Sequence, residues 1–158
     1  MSFSVIIPTL NAAPFLAATL AALAGVDDIV VADGGSTDGT RELATALGAR
    51  TVRAAAGRGS QLIAGARAAR GTWLLFLHAD TIVEAGWRDH VDCFISKPAN
   101  ARRAAVFRFA LDDDSRAARR LETLVALRVR LFGLPYGDQG QLIRREFYQS
   151  LGGFRPCP

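Results

Sequence analysis

Two apolar runs in this chain stop at carboxylates. Ile29 to Ala32 halts at Asp33-Gly34-Gly35-Ser36-Thr37-Asp38-Gly39-Thr40, and Trp73 to Leu77 halts at His78-Ala79-Asp80-Thr81. A short apolar run that ends this way puts the carboxylate at the carboxyl edge of a buried strand, where open α/β sheets bind ligands. Two such ends in one sheet share a crevice. Asp80 could ligate a divalent cation on a diphosphate there, and the Asp33 loop could meet the attached nucleoside.

Other residues converge on the same chemistry. Thr9 and Asn11 close the first apolar run with Pro8, so they share the wall beside Asp33, while Gly34 and Gly35 let a ligand approach the backbone. Arg58, between Gly57 and Gly59 ahead of a helix, could present guanidinium and backbone N–H groups to phosphate. No glycine stands at Leu62, so the dinucleotide-binding fingerprint is excluded. His78 either faces the phosphate edge or packs. Asp138 and Gln139, bounded by Gly137 and Gly140, could bind an acceptor hydroxyl, with Asp138 taking its proton. Simpler readings stay open beside these: Asp80 as a helix or turn cap, Asp33 as part of a plain strand-to-helix turn, Asp138-Gln139 as a polar reverse turn.

The elements that must position these residues follow from periodicity. Phe3 to Ile7 reads as a first strand, followed by a helix from Pro14 to about Ala24. Ile29 to Ala32 is a second strand, and Thr37 or Asp38 caps a helix through Leu47 that Gly48 closes. Arg50 to Arg53 is a third strand, Gly57 to Ser60 a loop, Gln61 to Arg70 a helix, and Trp73 to Leu77 a fourth strand. This rhythm predicts an α/β fold with right-handed crossovers and a parallel sheet. Beyond it, Glu84 to Ile95 reads as helix, Ala104 to Ala110 as strand, and Arg144 to Leu151 as helix. Ser115 to Phe132 reads as an amphipathic helix with Leu121, Leu124, Val125, Leu127 and Leu131 on its apolar side. Its five arginines, Arg116, Arg119, Arg120, Arg128 and Arg130, suit either a solvated face over a packing stripe or a peripheral contact with an anionic membrane.

Composition bounds the rest. At 158 residues the chain is expected to form one domain with a single core. The net charge of +4 comes almost wholly from arginine, Lys97 being the only lysine. Guanidinium forks suit an anionic substrate or membrane surface, although a codon bias toward arginine gives the same letters. No basic face interleaved with aromatics argues for nucleic acid. Cys93 and Cys157 have no metal-ligand spacing and read as free thiols in a reducing cytoplasm. Neither a signal peptide nor a transmembrane segment is expected.

The ordered set SVIIPTLN from Ser4, DIVVADGGSTDGT from Asp28, GARAARGTWLLFLHADT from Gly65 and LGGF from Leu151 resembles the family 2 glycosyltransferases of the GT-A fold. FLHADT together with YGDQGQLIRR from Tyr136 is most similar to the branch associated with radical-SAM and selenodomain proteins. The resemblance implies a Rossmann-like, mostly parallel central sheet flanked by helices. It also implies a UDP- or GDP-sugar donor, an Mg²⁺ or Mn²⁺ ion on Asp80, and inversion by a deprotonated acceptor. Pro8, Thr9, Asp33, Arg58 and Gly59 would line the donor site.

Three positions and one motif depart from that family's pattern. Gly34 replaces the second aspartate of the usual pair, His78 replaces the first aspartate of the metal motif, and Ile63 stands where relatives carry asparagine. The Glu-Asp motif that relatives place beyond LGGF has no counterpart before Pro158. The expected domain, residues 1–158, therefore lacks the last part of the family fold. Two functions stay in play: a glycosyltransferase at the inner face of a membrane or free in the cytoplasm, with its acceptor unnamed, and a sugar-nucleotide-binding module without turnover.

Overall fold

The computed structural model describes residues 2–133 and 139–156. Four parallel strands, β1 (Phe3–Thr9), β2 (Ile29–Asp33), β3 (Arg50–Arg53) and β4 (Trp73–Phe76), alternate with helices α1 (Ala13–Ala22), α2 (Thr40–Ala46) and α3 (Arg58–Ala68). After them come α4 (Trp87–Ile95), β5 (Ala104–Ala105), α5 (Arg116–Phe132), β6 (Gln141–Arg144) and α6 (Arg145–Ser150). The strands form one sheet in the order β3-β2-β1-β4-β6-β5, with β6 antiparallel to both of its neighbours. The chain winds outward from β1 through β2 to β3, then crosses back so that β4 lies on the other side of β1. That reversal is the switch point at which open α/β sheets form a ligand crevice.

Period-2 alternation divides the core between two faces. Val5, Ile7, Val31, Leu75 and Leu77 pack against Leu16 and Leu20 of α1, Leu23 just past its end, Ala44 of α2 and Val91 and Ile95 of α4. Ile6, Val30, Leu74, Phe76 and Ile143 pack against Leu62, Ala66 and Ala69. Gly65 lets α3 settle onto the sheet, since a Cβ there would overlap Cγ2 of Ile6. Gly71 meets backbone rather than a side chain: its Cβ would lie 2.6 Å from the backbone of Phe3 and Ser4.

The amino edge of the sheet is tied by Asp28. Its Oδ2 accepts from Ser4 Oγ at 2.5 Å and from the Arg70 amide at 2.8 Å, while Oδ1 pairs with Arg50 at 2.7 Å. Burial pushes this carboxyl up, but the Ser4, Arg70 and Arg50 donors outweigh it and hold the pKa below its ordinary value. Arg145 donates to the carbonyls of Ala66, Ala69 and Gly71, closing the carboxyl end of α3.

The parallel half matches the expected elements to within a few residues; the second half differs. Ala104 to Ala110 is strand only at Ala104–Ala105, because its partner β6 is four residues long and pairs only through Leu142 and Ile143. The sequence reading missed β6, which joins β4 through Trp73↔Arg144 to Phe76↔Gln141. The helix expected from Glu84 begins at Trp87, after Gly86 in a left-handed conformation with φ 82°. Helix α5 runs as expected, with Ser115 as its N-cap, but it buries only Ala118 and Glu122. Leu121, Leu124, Leu127 and Leu131 on its apolar side are exposed, so the reading of that side as a packing stripe does not hold among the described residues.

Candidate functional site

The carboxyl ends of β2, β1 and β4 lie side by side, and the polar residues singled out above gather along that rim. Thr9 and Asp33 are register partners across β1 and β2, while Ile6↔Phe76 is the last pairing between β1 and β4. Leu77 adds one more bond, donating to the Ile6 carbonyl at 3.0 Å, and the chain then turns away through His78, Ala79 and Asp80. Pro8 fits this central strand because its nitrogen points toward β4 past the point where the β4 ladder has ended.

Asp33 organises the β2 end of the rim and is almost wholly buried, at 1% exposure. Oδ1 accepts from Thr9 Oγ1 at 3.1 Å and Ser36 Oγ at 2.5 Å. Oδ2 accepts from the amides of Gly35 and Ser36, both at 3.0 Å. Burial raises the pKa of this carboxyl, but the four donors, Ser36 foremost, bring it below the ordinary value. The Asp33 loop was expected to meet a nucleoside; both oxygens of Asp33 are engaged by the chain, and the surface it shapes is the Gly34-Gly35-Ser36 turn, where Gly35 adopts φ 104°.

Asn11, with φ 51°, braces the adjoining loop. Its amide donates to Ser36 Oγ at 2.8 Å and its Oδ1 accepts from the Thr37 amide at 3.0 Å. Asp38 does not cap α2 as the residue before its first turn; Gly39 stands there, and Asp38 accepts from the amides of Thr40 and Ala13, stitching α2 to α1.

Arg58 is the first residue of α3, not part of a loop before it, and Gly59 is buried in the same turn. The guanidinium meets His78 Nε2, and His78 Nδ1 lies 3.9 Å from Asp80 Oδ1. A cation, an imidazole and a carboxylate therefore stand in line at the end of β4. Asp80 is open, its side chain 67% exposed.

Two residues that the sequence reading passed over brace the rim, one at the end of β4 and one at the end of β1. Thr19 of α1, fully buried, donates from Oγ1 to the Ala79 carbonyl at 2.7 Å. Gln61 of α3, also buried, donates from Nε2 to the Thr9 carbonyl at 2.5 Å. The signal was present for Gln61: it shares the inward face of α3 with Leu62, Gly65 and Ala66, where a polar side chain needs a partner.

Gln139 is buried and donates from Nε2 to the Phe107 carbonyl at 3.4 Å, on the antiparallel side of the sheet. Asp138, its expected companion, lies outside the described residues.

The donor set fits a cation held jointly with a ligand. Among the described residues no group of three or more histidine, cysteine, aspartate or glutamate side chains could cage a metal alone. One open carboxylate beside a diphosphate is the arrangement by which Mg²⁺-like ions are usually held, through one or two carboxylates, substrate phosphates and water.

The sequence profile of Glycosyl transferase family 2 matches residues 4–92. A PGL/p-HBAD biosynthesis glycosyltransferase from Mycobacterium bovis is 40% identical over 107 residues, covering 60% of this chain and 42% of the relative. The chain thus spans under half the length of that curated relative. Among solved structures, the mannosyltransferase of Pyrobaculum calidifontis in complex with GDP-Man and Mn²⁺ superposes with a TM-score of 0.73 at 24% identity, over 97% of this chain and 47% of that one. Glucosyl-3-phosphoglycerate synthase from Mycobacterium tuberculosis, in complex with Mn²⁺, UDP and glucosyl-3-phosphoglycerate, gives 0.62 at 22% identity, over 92% and 57%.

Proposed function

Because the chain belongs to glycosyl transferase family 2, we propose that it binds a nucleoside-diphosphate sugar along the β2-β1-β4 rim and transfers the sugar to an acceptor hydroxyl with inversion. The arrangement of Arg58, His78 and Asp80 at the end of β4, with Thr9 and the Asp33 turn at the ends of β1 and β2 on the same rim, carries this reading, since it puts phosphate-binding chemistry and a polar turn along one sheet edge. FLHADT and YGDQGQLIRR are the residues on which we assign the chain to the branch associated with radical-SAM and selenodomain proteins.

In this scheme Thr9, Gly34 and Gly35 present backbone to the nucleoside. Asp33 acts through them by fixing the turn, and Pro8 and Asn11 complete the wall. Arg58 and the first amides of α3 face the diphosphate. Asp80 is the metal ligand, and the cation, Mn²⁺ or Mg²⁺, would stabilise charge on the leaving diphosphate. The acceptor oxygen attacks the anomeric carbon as the bond to the diphosphate breaks on the opposite side. We assign Asp138 to take the hydroxyl proton and Gln139 to support the acceptor side; a positioned base contributes roughly 10² to 10⁴ in rate. UDP- and GDP-sugars are the donors to try first, and the exposed thiol of Cys93 fits work in a reducing compartment.

Calorimetric titration of UDP and GDP with and without Mn²⁺, followed by nucleotide release from their sugars, tests the reading. The expected result is cation-dependent binding and release, with Asp80→Ala lowering turnover by roughly 10²-fold or more. Cation-dependent binding with no release for any sugar or acceptor would leave a sugar-nucleotide-binding module. Absence of binding would refute both.

A further inference from the structure

The exposed side of α5 is apolar where a surface helix is ordinarily polar. Leu124, Leu127 and Leu131 follow the i, i+3, i+7 spacing of one stripe and are 62%, 49% and 63% exposed. Leu121 and Phe132 widen it, the latter at 70% exposure. The helix turns its only acidic residue away from this stripe: Glu122 is buried, accepts from the Leu111 amide at 2.9 Å and pairs with Arg119 at 3.2 Å.

Charge on the exposed side is all of one sign. Arg120 stands one turn ahead of Leu124 and Arg116 one turn ahead of Arg120, while Arg130 flanks Leu127 and Leu131. Among the described residues no carboxylate pairs with Arg116, Arg120 or Arg130. The acidic run before the helix is partly engaged elsewhere, Asp113 with Ser115 and Asp114 with Arg119. A leucine stripe bordered by uncommitted guanidinium groups has the pattern of a helix lying in the headgroup region of a bilayer. No helix among the described residues is long and apolar enough to cross one.

We propose that α5 docks this chain flat on an anionic lipid surface, its leucines entering the acyl boundary and its arginines meeting lipid phosphates. Charge complementarity selects that occupant: a second copy would bring these same arginines against each other, whereas an anionic leaflet attracts them. The proposal stands independently of the donor-site reading.

Cosedimentation with vesicles of phosphatidylcholine alone and of phosphatidylcholine with phosphatidylglycerol tests it. The expected result is at least tenfold stronger partition to the anionic vesicles, weakened in 1 M salt, where the Debye length shrinks to about 3 Å. Leu124→Asp with Leu131→Asp should abolish partition. Arg120→Gln with Arg130→Gln, which leaves the leucines intact, should weaken it by roughly tenfold or more, each arginine being worth about fivefold at a charged surface. Thermal melting of both variants should match the parent, since all four side chains are exposed. Equal partition to neutral and anionic vesicles, or none to either, would overturn the proposal. So would self-association that the leucine variant abolishes in the absence of vesicle binding.

Discussion

Gln61 occupies the space in which Gly34 would carry a side chain. A Cβ on Gly34 would sit 2.7 Å from Nε2 and 3.1 Å from Cδ of Gln61, and that same amide holds the Thr9 carbonyl. Glycine at position 34 and glutamine at position 61 thus belong to one packing arrangement. Gly34→Ala should cost about 1–3 kcal/mol, because Gln61 must leave its buried hydrogen bond or be strained. In Gln61→Ala the collision disappears, so the two substitutions together should cost less than their sum by about 0.5–3 kcal/mol. Urea midpoints of the four proteins measure the coupling, and simple additivity would contradict this account of the turn.

Asp28 and Asp33 anchor opposite edges of the sheet, and both hold their protons more weakly in the folded chain than the ordinary value near 3.8. A group of that kind stabilises the fold fully above its unfolded pKa and loses the contribution as pH falls through the lowered folded value. Stability should therefore be level with respect to these two groups above about pH 5 and fall steeply below about pH 4. Asp28→Asn should weaken the protein at pH 6 by about 1–3 kcal/mol, by leaving Arg50 and the Ser4 hydroxyl imperfectly paired. The gap to the parent should narrow as both are taken below pH 4. Urea unfolding at a series of pH values checks the convergence; a gap that stays constant to pH 3 would mean that Asp28 does not titrate with folding.

The parallel half of the fold was legible because β1, β2 and β4 are short, mostly apolar runs closed by turn signals and buried on both faces; β3, Arg50-Thr51-Val52-Arg53, is only partly buried and was readable from the strand-helix rhythm. Val30 and Val31 face opposite layers and each finds a core. The antiparallel half was not, for a physical reason: Leu142 and Ile143 are a two-residue apolar core within QLIR, too short to show a period, and only pairing with β4 makes them a strand. Helix α5 shows a different limit. Its leucine spacing established a stripe, but a stripe does not say whether protein or something else covers it. At the rim, the types and positions of Thr9, Asp33, Arg58, His78 and Asp80 were readable. The occupancy of Asp33 was not, since the donors that fill it include Ser36 and two amides whose direction depends on a left-handed Gly35.

Arg58 gives the sharpest division between binding a phosphate and merely bracing the rim. It opens α3, so a substitution there leaves the helix's free amides and their positive potential in place and removes only the guanidinium. If that fork grips the donor diphosphate, Arg58→Ala should weaken nucleoside-diphosphate binding by roughly tenfold or more while leaving affinity for the bare nucleoside unchanged. Arg58→Lys should recover only part of the loss, because an ammonium is a point charge and cannot make the two parallel bonds of a guanidinium. Calorimetry with nucleoside, monophosphate and diphosphate separates the contributions, each phosphate adding to the difference between parent and variant. An equal loss for all three ligands would show that Arg58 works through His78 on the shape of the β4 end, and the phosphate-binding role would then fall to the α3 amides and Asp80 alone.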